Sequence, residues 1–104
     1  MEVFTEKALL LEVLNTVCDK LNIQSSALIF LNRSYSDSDI QTLYSFFAEI
    51  EIKKEPIKVD RIVSKIQQIN PKTSDQAALE TIRELKAAFK DEKRFPWLIK
   101  QIDD

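Results

Sequence analysis

Neither glycine nor histidine occurs in this chain, which also has a single cysteine and a single tryptophan. Average usage would put about seven glycines in a chain of this length. Without them there is no P-loop, no dinucleotide-binding G-x-G-x-x-G and no EF-hand loop, since each needs φ > 0 or a close backbone approach to its ligand. The Asn-Gly and Asp-Gly hairpin turns are missing too, which argues against a sheet-rich fold. Without histidine there is no serine or cysteine triad of the common kind. Zinc would find only carboxylates to join Cys18. The longest apolar run, Ala27 to Leu31, falls far short of the ~20 residues that span a bilayer. These absences predict an all-α, non-enzymatic protein with no catalytic, cofactor-binding or metal site.

One cysteine excludes an internal disulfide and suits a reducing compartment. The first residues, Met1 to Glu6, are acidic where an export signal would be basic. Both features predict a cytoplasmic protein. Hydrophobic residues make up 44% of the chain and charged residues 31%, which suits one folded domain over 1–104 and not a disordered chain. Charge is divided unevenly. Residues 1–52 carry three basic and eight acidic side chains, a balance of −5, and residues 53–104 carry twelve and nine, a balance of +3. Such a split can turn the C-terminal half toward an acidic partner, a nucleic acid or an anionic membrane surface, or can simply reflect solvated helix faces.

Thr5 is placed to cap a first helix in which Leu10, Leu14, Val17 and Leu21 recur on one face. Leu11, Val13 and Cys18 widen that stripe and predict a heavily buried helix. Residues 22–36 read as a short helix capped at Ser25-Ser26 and running to Asn32, or as an irregular packed connection; Leu28 to Leu31 alone would also suit a strand, but no partner strand is evident. Ser36-Asp37-Ser38-Asp39 is a strong helix start, followed inward by Ile40, Leu43, Phe46, Phe47 and Ile50, with fraying by Lys53-Lys54. Pro56 is expected near the first turn of the next helix, which buries Val59, Ile62, Val63, Ile66 and Ile69 and stops at Asn70-Pro71. Thr73 and Gln76 match a T-x-x-Q capping box. They open a helix with Ala78, Leu79, Ile82, Leu85 and Phe89 inward. Pro96 ends or kinks that helix, and Phe95, Leu98, Ile99 and Ile102 can form a last amphipathic turn. Short connections favour an antiparallel four-helix bundle with a short C-terminal amphipathic turn or helix. In that arrangement Asn22, Asn70 and the prolines end the helices, and no residue is asked to adopt φ > 0.

Candidate chemistry is sparse. Cys18 lies beside the core stripe and lacks a base to activate it. Asp37 and Asp39 begin like a calcium loop, but Gln41 follows and the loop's glycine is absent, so they read as helix-start residues. Lys54, Lys58, Arg61 and Lys65 are spaced 4, 3 and 4 apart and form a basic ridge on one helix. The sharpest candidate is the C-terminal stretch. There Lys86, Lys90, Lys93, Arg94 and Lys100 are interleaved with Phe89, Phe95 and Trp97. Trp and Arg commonly anchor interfaces. Lys86, Lys90, Lys93, Arg94, Phe95, Trp97 and Lys100 are therefore the candidate partner-binding residues, although Phe89 and Trp97 can equally close a small core.

From Ser36 onward the order of signals resembles the immunity proteins of pediocin-like (class IIa) bacteriocins, the enterocin A immunity family. The matching features begin with S-D-x-D-I at Ser36 to Ile40, opening a Leu/aromatic/Ile helix, and a basic break that ends in Pro56. An R-I-x-x-x-I core follows at Arg61, Ile62 and Ile66, and then a helix begun by Ser74-Asp75 that contains Glu84-Leu85-Lys86. The resemblance covers about residues 36–90. It implies an antiparallel four-helix bundle without enzymatic activity, working in the cytoplasm as a binding protein; the chain itself is expected to be a monomer. It further implies protection against a pore-forming peptide, by binding at the inner membrane face where that peptide engages a mannose phosphotransferase permease. Specificity in the family lies in the C-terminal half. Two alternatives stay open on the residues alone. One is a nucleic-acid-binding regulator using the Lys54–Lys65 ridge, which the acidic pI near 5.2 disfavours. The other is a homodimeric adaptor paired through Phe95 to Ile102.

Overall fold

The computed structural model describes residues 5–102, and every regular element among them is helical. The order is α1 (Glu6–Leu21), α2 (Ser26–Asn32), α3 (Asp37–Lys53), α4 (Val59–Ile69), α5 (Asp75–Glu92) and α6 (Pro96–Gln101). Four of these helices begin where a hydroxyl can accept an orphan backbone N–H. Thr5 Oγ1 accepts from Ala8 N–H at 3.1 Å and Ser25 Oγ from Leu28 N–H at 3.3 Å. Ser36 Oγ accepts from Asp39 N–H at 3.1 Å, and the Asp39 carboxylate returns a bond to Ser36 N–H at 3.4 Å. This box is the physical content of the Ser36–Asp39 signal. At α5 the cap is Ser74, whose Oγ accepts from Ala77 N–H at 3.1 Å, and not the expected Thr73.

The helix ends differ more from expectation. Asn22, Ser34, Lys54 and Lys93 all take the left-handed conformation, with φ of 56°, 61°, 54° and 56°. Each is followed by an N–H that reaches back five residues: Ile23 to Cys18 O, Tyr35 to Phe30 O, Glu55 to Ile50 O and Arg94 to Phe89 O. These are Schellman closures, which satisfy terminal carbonyls and normally use glycine. The expectation that no residue need adopt φ > 0 is therefore corrected. The carbonyls must be satisfied whatever residue is available, so serine, asparagine and lysine accept the left-handed cost. The same closure moves Pro56. It follows the Lys54–Glu55 turn in the connection before α4, which starts at Val59 with Lys58 at its N-cap, so Pro56 is not in that helix's first turn. Pro96, in contrast, opens a helix of its own at the first position of α6.

The core gathers Phe30 and Tyr35 with Leu43, Phe47 and Ile50 from α3 and Ile62 and Ile66 from α4. Ala78, Ile82, Leu85 and Phe89 join from α5, and Leu98 and Ile102 from the C-terminal end. Phe89 is the hub: its ring meets Phe47 edge-on at 5.6 Å and Phe95 edge-on at 5.0 Å. α5 packs against α2, α4 and α6, and α6 also packs against α3. Leu79, expected inward, is exposed.

α1 departs furthest from the sequence reading, because none of its residues is buried. It lies on α2 through Leu11, Asn15 and Cys18, which are half-buried. The Asn15 and Asn32 amides bond each other reciprocally, both at 2.9 Å. The richer stripe faces water: Leu10 is 56% exposed, Val13 58% and Leu21 63%, with Leu9, Leu14 and Val17 close behind. The short α2 stands between α1 and the core, so α1 reaches the body of the protein only through a narrow polar-edged seam.

Candidate functional site

The C-terminal corner is built by a carboxylate from another part of the chain. Phe95, at the N-cap of α6, has no side chain able to cap it. Glu51, near the end of α3, supplies the acceptor instead. Its Oε2 takes Trp97 N–H at 3.2 Å and its Oε1 takes Leu98 N–H at 2.9 Å. Those are two of the orphan donors at the positive end of the helix. Lys54 Nζ adds a third contact to Glu51 at 3.0 Å. Burial pushes the Glu51 carboxyl up, but the bonds from Leu98, Lys54 and Trp97 outweigh it and hold the group below the usual carboxylate range. The Trp97 indole N–H donates to Glu55 O at 2.9 Å, so the ring is tethered to the turn that ends α3.

A second carboxylate works the same way at the other side of this corner. Glu92, in the last turn of α5, accepts from Ser26 N–H at 2.7 Å and from Ser26 Oγ at 2.9 Å. Ser26 is buried, and its hydroxyl also meets Tyr44 Oη at 2.6 Å. Asp91 accepts from Gln24 N–H at 3.0 Å, tying the connection after α1 to the same turn. Arg94 reaches Glu92 at 3.3 Å, and its guanidinium lies 5.4 Å from the Tyr44 ring centre and 6.0 Å from that of Phe95.

These contacts sort the expected partner-binding residues into two groups. Phe95 is half-buried against Phe47 and Phe89, Trp97 is half-buried and tethered, and Arg94, though exposed, is engaged by Glu92 and Tyr44. Their packing holds the corner together. Lys90, Lys93 and Lys100 are exposed around it, and Lys86 is half-buried on α5. Leu98 and Ile102 of the Phe95–Ile102 stripe belong to the core, and Phe95 and Ile99 pack against it within this chain.

The basic ridge is divided. Lys54 belongs to the end of α3 and Lys58 precedes α4, leaving Arg61 and Lys65 on the helix proper. Lys65 Nζ lies 5.4 Å from the Phe46 ring centre. Asp37 and Asp39 sit in the first turn of α3 as their position predicts. Cys18 is half-buried and lines an open hollow with Asn15, Ile23, Leu28 and Asn32. Among the described residues, no group of histidine, cysteine, aspartate or glutamate is arranged to hold a metal ion, and no helix is long and apolar enough to cross a membrane.

Sequence reasoning missed Glu51 and Glu92 as caps, since each acts across a long span of chain. It also missed the exposed side of α1. The only hint there was an apolar arc on the first helix wider than one contact needs. No family model matches the chain, and no curated protein or solved structure shows significant similarity to it.

Proposed function

We propose that the chain is an immunity protein of the pediocin-like bacteriocin type. In this reading it is a cytoplasmic binding protein without chemistry of its own, and it protects a cell from a pore-forming class IIa peptide. It does so by docking at the inner face of the mannose phosphotransferase permease that the peptide engages. Support comes from the resemblance over Ser36 to Lys86 and from the all-helical architecture. The antiparallel four-helix bundle that the resemblance implies is part of this proposal: α3, α4 and α5 would be three of its long helices, and α1, which lies on α2 outside the core, would have to supply the fourth.

The observation that carries the proposal is the braced basic corner. Lys90, Lys93 and Lys100 are exposed beside aromatic side chains already committed to packing. A charge pattern held on a pre-ordered corner loses little conformational freedom on binding and favours one register on an acidic partner. The test is expression of the chain in a sensitive strain challenged with a panel of class IIa peptides. Protection against at least one peptide is expected, and combined reversal of Lys90, Lys93 and Lys100 to Glu should abolish it while the fold persists. Protection against none of them overturns the proposal. Protection that survives the charge reversal moves the docking surface away from this corner.

A further inference from the structure

The side of α1 turned away from α2 carries a charge order that complements itself. Glu6, Val13 and Lys20 are all exposed and follow one another at intervals of seven residues. Seven residues return to nearly the same side of a helix, with a drift of only about 20°. The three therefore form one row that is acidic at its start, apolar at its middle and basic at its end. Leu10, Leu14, Val17 and Leu21 flank the row on one side and Leu9 on the other, all about half in water or more. Turned end for end, such a row meets its own complement.

We propose that this face joins two copies of the chain, α1 against α1 in antiparallel orientation about a two-fold axis at Val13. Glu6 of each copy then meets Lys20 of the other, and the aliphatic flanks close over the axis. An isologous contact of this kind needs one patch that is its own partner. The area suits it. With Ile23 just beyond the helix, the exposed aliphatic side chains present on the order of 600 Å², the upper range for a monomer's largest apolar patch. Two such faces together remove on the order of 1,200 Å², where specific interfaces begin. A lipid surface fits less well. Helices that lie on membranes carry basic polar faces, whereas α1 sets Glu6, Glu12 and Asp19 against Lys7 and Lys20. The inference is independent of the proposed function, because the basic corner belongs to α5 and α6.

Sedimentation of the full chain over a range of concentrations tests it. The mass should rise from monomer to dimer. Val13→Glu, which sets two carboxylates at the axis, should leave only monomer with the helical circular dichroism unchanged. Glu6→Lys should weaken the dimer about tenfold, and adding Lys20→Glu to that variant should restore it to within a few-fold of the original. A chain that stays monomeric throughout overturns the proposal, as does a dimer indifferent to Val13→Glu. Flotation of a monomeric chain with phosphatidylglycerol vesicles would assign the face to lipid and overturn it as well.

Discussion

The backbone N–H of Leu98 donates to Oε1 of Glu51 at 2.9 Å, across 47 residues of chain. That bond, with its neighbour from Trp97, gives α6 the N-terminal acceptor its own sequence lacks. A helix of six residues cannot hold itself together in water. It persists because Glu51 satisfies its first donors and because Leu98 and Ile102 enter the core.

Replacing Glu51 by Ala should therefore cost about 2 kcal/mol, since two N–H groups in a partly buried setting lose their partner. The loss should be read at α6 before the rest of the protein. Trp97 fluorescence should shift toward the solvent-exposed value at a lower denaturant concentration than the helical circular dichroism falls. Coincident transitions with unchanged stability would show that Glu51 does not hold α6.

Acid should act through the same carboxylate. Its pKa is lowered in the folded protein, so its contribution is present above the ordinary glutamate range and is lost as pH falls through the lowered value. Unfolding free energy measured from neutral pH downward should fall in that acid window. In Glu51→Gln the same curve should start lower and fall less.

The glycine-free helix ends make a further prediction. Ser34 is exposed and held at φ 61°. Ser34→Gly should stabilise the protein by about 0.5–1 kcal/mol, the left-handed penalty relieved less the extra freedom of the unfolded chain. Thermal unfolding should rise by a few degrees, roughly 4–8 °C per kcal/mol in a domain of this size. Ser34→Val should lower it. An unchanged or lower midpoint for the glycine variant would contradict the strain assigned to this turn.

Tyr35 offers another. It is buried, its hydroxyl has no hydrogen-bond partner among the described residues, and burial raises its pKa. Removing an unsatisfied buried hydroxyl without changing the ring should be neutral or stabilising by about 1 kcal/mol. Chemical denaturation of Tyr35→Phe measures this directly, and a loss of more than about 1 kcal/mol would mean that the hydroxyl is paired in solution.

Where four of the six described helices start is written locally in this chain. Thr5, Ser25, Ser36 and Ser74 each cap an N–H three residues on, so a short window of residues holds both donor and acceptor. The inward stripes of α3, α4 and α5 are legible for the same reason, since period and burial coincide once a helix lies on a core. Charge balance and the lysine positions of the C-terminal half can be counted from the residues as well. Which lysines remain exposed, and which neighbours brace them, cannot.

Three things required the tertiary structure. Glu51 and Glu92 cap helices 46 to 47 and 66 residues away, and nothing near either glutamate announces a distant partner. Left-handed turns at Ser34, Lys54 and Lys93 follow from carbonyls that must be closed, not from any preference of those side chains. The apolar stripe of α1 was plain in the residues, but its burial was not theirs to decide. Periodicity states that a helix has an apolar side; only the packing of α2 between α1 and the core determines that this side is left facing water.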